Sequence, residues 1–180
     1  MRAKDFKSSW NRGQELEKVF FELVKMRDPN AREATPQEQY RHIDFVTYFG
    51  TIDVKSKKRI GRADGNEQDT IVWLEYKNVQ GKEGWLVSEV DILAFERDDD
   101  FILVKRNILK DMADRLCNLA DMVDKSYDAL YKGYTRQGRK DLITQGREDQ
   151  NNLRTHLKEM LDTMTYDKLA ETQAARAESV

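Results

Sequence analysis

Between His42 and Lys55 the chain changes character, and that change limits the fold more than any other feature. Ile43, Phe45, Val46, Thr47, Tyr48 and Phe49 are strand formers. Gly50 permits a tight bend, and Thr51 to Lys55 reads as a returning strand. A hairpin is expected here. Its sequence also carries charge: Asp44 on the first arm, then Asp53-Val54-Lys55 on the second. Alternate side chains of a strand share a face, so Asp53 and Lys55 point together and Val54 points opposite. The bend carries Asp44 back towards that pair. Two carboxylates and an ammonium on one sheet face are costly if buried. Their best physical use is a hard divalent cation held by oxygen ligands, with a lysine positioning one of its waters.

The flanking segments fix the rest of the expected order. Leu16, Val19, Phe20, Leu23 and Val24 recur at helical spacing, so an amphipathic helix is predicted over Gly13–Met26, ended by Asp28-Pro29-Asn30. Thr35-Pro36-Gln37-Glu38 has the cap and first-turn proline of a short helix. Strands are predicted at Thr70–Lys77, Val90–Glu96 and Phe101–Lys105, the last two joined through Asp98-Asp99-Asp100. After Arg106 the apolar residues Leu109, Met112, Leu116, Leu119, Met122, Val123 and Leu130 predict one long helix. A basic, glycine-containing break comes next over Tyr131–Gly146, then a second helix from Gln150 to about Met164. The expected organisation is a core over 1–106 and a C-terminal helical extension over 107–180.

Composition removes several alternatives. The 33 Asp and Glu nearly cancel the 31 Lys and Arg, for a net charge of −2. Binding to nucleic acid by bulk charge is therefore excluded, and any contact must use local basic patches. The single cysteine, Cys117, rules out a disulfide framework and a cysteine-rich zinc site. Two distant histidines rule out His-clustered metal motifs. No apolar run reaches membrane-spanning length, and the charged N-terminus has no apolar stretch behind it. A cytoplasmic protein with no membrane partner is the expectation.

Trp73-Leu-Glu75-Tyr-Lys77 places a second acid and lysine two residues apart, beside Asn78. The spacing allows it to lie next to the Asp53 strand. Basic residues Lys57, Lys58, Arg59 and Arg62 come directly after the first motif, and Arg136, Arg139 and Lys140 fall in a tyrosine-containing segment. Both stretches are candidates for contact with a phosphate backbone, and both fit an ordinary solvated surface equally well.

The set Asp44…Asp53-Val-Lys55, preceded by a helix containing Gly13-Gln-Glu-Leu-Glu17, resembles the PD-(D/E)XK nuclease superfamily of restriction-endonuclease-like proteins. The string from Asp53 through Trp73-Leu-Glu75, Gly81–Leu86 and Asp91–Glu96 is also similar to small nuclease-like proteins of bacteriophages. The resemblance covers roughly residues 13 to 106. It implies an α/β fold with an αβββαβ core and a mixed sheet, and Mg²⁺- or Mn²⁺-dependent hydrolysis of DNA phosphodiesters. In that reading Asp44 and Asp53 bind metal with the Val54 carbonyl, Lys55 orients water, and Glu17 and Glu75 assist. Lys77 meets phosphate. A second register makes Asp53 the early acid and Glu75-x-Lys77 the core motif. The first is preferred because the tight hairpin fixes its geometry. A homodimer through the C-terminal helices is a further expectation. The alternative to an enzyme is a nucleic-acid-binding or assembly module on a similar fold.

Overall fold

The computed structural model describes residues 3–57, 70–147 and 164–165, with side chains over 11–57 and 70–146. Helix α1 (Ala3–Arg27) leads into β1 (Arg32–Glu33) and the one-turn helix α2 (Pro36–Gln39). The hairpin comes next as β2 (Phe45–Thr47) and β3 (Gly50–Lys55). After it stand β4 (Ile71–Lys77), a 3-10 turn at Trp85–Val87, β5 (Ile92–Glu96), β6 (Asp100–Lys105) and α3 (Arg106–Leu116). Strands β7 (Asn118–Val123), β8 (Lys132–Tyr134), β9 (Leu142–Arg147) and β10 (Met164–Thr165) complete the described chain.

The fold is mixed α/β with two mixed sheets. One runs β1-β2-β3-β5-β6-β10, and the other β4-β9-β8-β7. In the first, β3 pairs antiparallel with β2 and parallel with β5. A parallel pair needs a crossover, and this one carries β4 and the Trp85–Val87 turn away from the sheet before returning.

Each face of the first sheet has its own core, as strand alternation requires. Ile52, Ile92, Ala94, Phe101 and Leu103 pack on Leu16, Phe20, Leu23 and Val24 of α1. Leu93, Phe95, Ile102 and Val104 pack on Trp85, Leu86, Leu74 of β4, and Leu109 and Ala113 of α3. Phe20 is fully buried and meets Phe101 edge-on, with ring centroids 4.9 Å apart. Truncating such a residue costs about 3–5 kcal/mol.

Two local devices set the hairpin against α1. The short helix α2 has the full capping box: Thr35 Oγ1 accepts from the Glu38 N–H, and Glu38 Oε2 accepts from the Thr35 N–H at 2.8 Å. Asp28, just past the end of α1 and only 3% exposed, accepts the N–H of Tyr48 at 2.8 Å and that of Asn30 at 3.0 Å. The helix end and the β2–β3 turn are thereby tied through one side chain.

Three sequence expectations change. The long helix through Leu130 ends at Leu116, because Cys117 turns extended (φ −96°, ψ 128°) and β7 begins. Residues 132–134 and 142–147 are strands, so the described chain beyond α3 is largely sheet rather than helix. The third strand of the chain-order core, β4, lies in the second sheet against β9 instead of beside β3. Residues on both sides of Arg106 therefore share that sheet. The helix expected from Gln150 lies outside the described residues up to its end at Met164, which belongs to β10. Among the described residues, no helix is long and apolar enough to cross a membrane.

Candidate functional site

The site begins where β2 stops. The β2–β3 ladder ends at Phe45 opposite Ile52, with the Asp44 N–H donating to the Ile52 carbonyl at 2.8 Å. Past that point β2 no longer covers the edge of β3. The carboxylate of Asp44 takes over, its Oδ2 accepting the Val54 N–H at 2.8 Å. This notch lets groups from the two faces of the sheet meet around one edge. Glu17 reaches it from α1, and Asp53 and Lys55 reach it from the opposite face.

Asp53 is 3% exposed. Lys55 Nζ lies 2.6 Å from both of its carboxylate oxygens, but only Oδ1 receives a well-aligned hydrogen bond. Oδ2 is buried without a hydrogen-bond partner. Lys55 itself stands over the Trp85 indole, 5.2 Å from the ring centroid. Trp85 is delivered there by Gly84, which packs on β4 so closely that an added Cβ would come within 2.3 Å of the Glu75 carbonyl oxygen.

The electrostatics arise from crowding. Burial, then the Asp53 charge, pushes the Asp44 carboxyl up to about 7, against the opposing pull of the Val54 N–H and Lys55. Burial, then Asp44, pushes Glu17 up to about 7. Burial raises Asp53 as well, with Lys55 opposing. His42 completes the surroundings. It sits in the left-handed region at φ 63°, a strained place for a non-glycine residue, and bonds the Glu83 carbonyl. Burial and then the Lys55 charge hold its imidazole below the ordinary histidine value.

Three carboxyls that resist ionisation around one notch would be relieved by a cation. The donor set is all oxygen, the kind Mg²⁺ takes through one or two carboxylates while keeping several waters, although the Lys55 ammonium now stands against both oxygens of Asp53. Among the described residues, no group of three or more His, Cys, Asp and Glu side chains forms a ready cage. The fit is therefore to a two-carboxylate site with Glu17 as an outer neighbour.

The remaining predicted residues separate from this cluster. Glu75 and Lys77 lie on β4 in the other sheet, and Lys77 is exposed. The register that pairs Asp53 with Glu75-x-Lys77 on neighbouring strands is not formed, since the neighbours of β3 are β2 and β5. Lys57 donates to Asp98 at 2.6 Å. Lys58, Arg59 and Arg62 lie outside the described residues. Arg136 is paired with the buried Asp141, while Arg139 and Lys140 are exposed on the turn before β9.

Trp85 and His42 read from the sequence as a core residue and a strand-edge side chain, not as site residues. Trp85 reads as a core aromatic and is one, yet its face also holds the lysine. His42 carries no pattern of its own. The only signal for either was adjacency to the motifs, Gly84-Trp85 on one side and His42-Ile43-Asp44 on the other. Comparison with known proteins gives no matching family model, no matching curated protein and no matching solved structure.

Proposed function

We propose that the protein is a Mg²⁺-dependent nuclease hydrolysing phosphodiester bonds in DNA, with a site of the restriction-endonuclease-like kind. One observation carries the reading: a buried Asp53, bonded to Lys55 two residues on, faces Asp44 across the open end of a hairpin. Sheet order does not contribute, because β4 leaves the sheet.

Asp44 and Asp53 would hold the ion. The Val54 carbonyl is a reasonable third oxygen, since the N–H and C=O of one strand residue face the same side and its N–H faces Asp44. When bound, Mg²⁺ supplies positive charge to a phosphate oxygen and acidifies a coordinated water. Lys55 donates to Asp53 and is steadied by Trp85, which places an ammonium where a water or developing oxyanion can be oriented. Glu17, held close to neutral pH in its ionisation, is suited to take a proton from that water. The water oxygen bonds to phosphorus, one P–O ester bond breaks, and the released oxygen takes a proton. Glu75 and Lys77 are not assigned a step.

The second reading is a binding module that grips nucleic acid without cutting it. The ammonium of Lys55 favours it, since it already stands against Asp53 where a metal ion would otherwise neutralise that carboxylate. One assay separates the two. Single-stranded, duplex and branched DNA are incubated with the protein in Mg²⁺, Mn²⁺ or EDTA. Products that require metal and vanish in Asp53→Ala support the nuclease. Undiminished cleavage by that variant removes it, and binding without products supports the module.

A further inference from the structure

A cleft of about 820 Å³ opens beside the carboxylate notch, between α2 and the turn that precedes Trp85. His42 belongs to both: it lines the cleft and feels the charges of Asp44 and Lys55. The cleft and the candidate site thus meet at His42, two residues before Asp44.

The lining says what could bind. Tyr40 stands at the cleft with 82% of its surface exposed, the most exposed large apolar residue among those described. An aromatic face left open to water beside the carboxylate notch suits stacking with another flat ring. Gln39 and Gln80 are exposed amides that can meet the polar edge of such a ring. Two cations, Arg41 and Lys82, are matched by two acids, Glu83 and Glu89, and Arg41 is already paired with Glu89. A surface with no net charge gains little from the dense backbone charge of a duplex. The volume points the same way. It lies within the range that takes a nucleotide-sized ligand.

We propose that this cleft takes an unpaired nucleobase stacked on Tyr40, so that the substrate class is single-stranded DNA. The proposal rests on the nuclease reading for its connection to cutting, but its binding content can be measured alone. Lys140 extends the path, since its N–H donates to the Val79 carbonyl at 3.3 Å and its side chain lies against Gly81 at the rim.

The test is fluorescence anisotropy in EDTA with labelled dT12 and with a hairpin duplex, for the wild-type chain, Tyr40→Ala and Tyr40→Trp. Circular dichroism melting of each variant checks the fold, which an exposed side chain leaves unchanged. Wild type binds dT12 at least about 10-fold tighter than duplex, and the loss in Tyr40→Ala is about 5- to 100-fold for dT12 alone. Tyr40→Trp retains binding within about threefold, because its ring also stacks. The salt dependence of dT12 binding is shallow, as expected for contact with one or two phosphates. No dT12 binding, an effect of Tyr40→Ala below twofold, or an equal loss on duplex overturns the proposal. The Tyr40 pattern without any Mg²⁺-dependent cleavage supports the cleft and sinks the nuclease reading. Cleavage of single strands without a Tyr40 effect does the reverse.

Discussion

The chain contains two acid-x-lysine motifs on strands, Asp53-Val-Lys55 and Glu75-Tyr-Lys77, and they have different fates. On β3 the acid is buried, the lysine donates to it, and an indole lies beneath the ammonium. On β4 the lysine is exposed and the strand borders a different sheet. The register between β4 and β9 shifts between Glu75 and Lys77, so a bulge disturbs the alternation that would put both side chains on one face. Spacing is the same in both. The neighbour differs: the strand beside β3 stops short and leaves Asp44 at its open edge, whereas β9 accompanies β4 from Ile71 to Lys77.

That difference can be broken or sharpened in steps. If the chain is the nuclease proposed, the largest effect is expected for Asp53→Ala, which removes the buried carboxylate and should lower metal-dependent cleavage by at least about 10³-fold. Its circular dichroism should match the wild type. Lys55→Ala against Lys77→Ala comes next. Loss of the first lowers kcat roughly 10²-fold, and loss of the second changes it less than about twofold. Equal losses, or a larger loss at Lys77, would return the second motif to the site.

A third comparison uses pH in the metal-free protein. The carboxyls of Asp44 and Glu17 titrate near 7 in the folded chain and near their ordinary values when unfolded. Between about pH 4 and 7 the unfolded state ionises first, so their contribution to stability falls as pH rises and levels off above 7. Below pH 4 both states are protonated and the penalty vanishes. Asp44→Asn with Glu17→Gln should therefore be more stable than wild type at pH 8 in EDTA by about 2 kcal/mol, allowing for solvent screening at the half-exposed Glu17. The gain should shrink towards pH 5. Chemical denaturation at the two pH values reads it, and a gain independent of pH would contradict the crowding of these carboxyls. Mg²⁺ should stabilise the wild type and not the double variant.

The smallest effect concerns Trp85. Trp85→Leu removes the indole under Lys55 and should lower kcat about 3- to 10-fold with KM unchanged, while Trp85→Phe keeps most of it. A loss confined to thermal stability would reduce Trp85 to a core residue.

Much of this was legible in the residues. The periodicity of α1, the Thr35 cap and Pro36 of α2, the β2–β3 bend and the β5–β6 hairpin are local signals, and each element forms, although α1 begins at Ala3, ten residues before the expected Gly13. The proximity of Asp44, Asp53 and Lys55 was legible because a hairpin converts sequence spacing into proximity, whereas Glu17 on α1 was named only through the family resemblance. Residues 118–123 were not. Leu119, Met122 and Val123 continue a helical spacing from Leu116, no glycine or proline marks the stop, and the strand is mostly exposed, so no inside–outside alternation betrays it. The partnership of β4 with β9 is set by packing between distant parts of the chain, which no local window contains. Trp85 and His42 owe their places to the same long-range arrangement.

The distance along the chain between β4 and β9 also has a consequence for how the protein is made. Ile71, Val72, Trp73 and Leu74 leave the ribosome well before their antiparallel partner exists. At a synthesis rate of about 5–20 residues per second, the nascent chain carries a sticky, unpaired strand for several seconds, while α1 and the hairpin wait only for β5 and β6, which follow β4 directly. The half of the molecule with the buried charges can assemble early, and the half that supplies Trp85 with its supporting sheet waits for the ribosome.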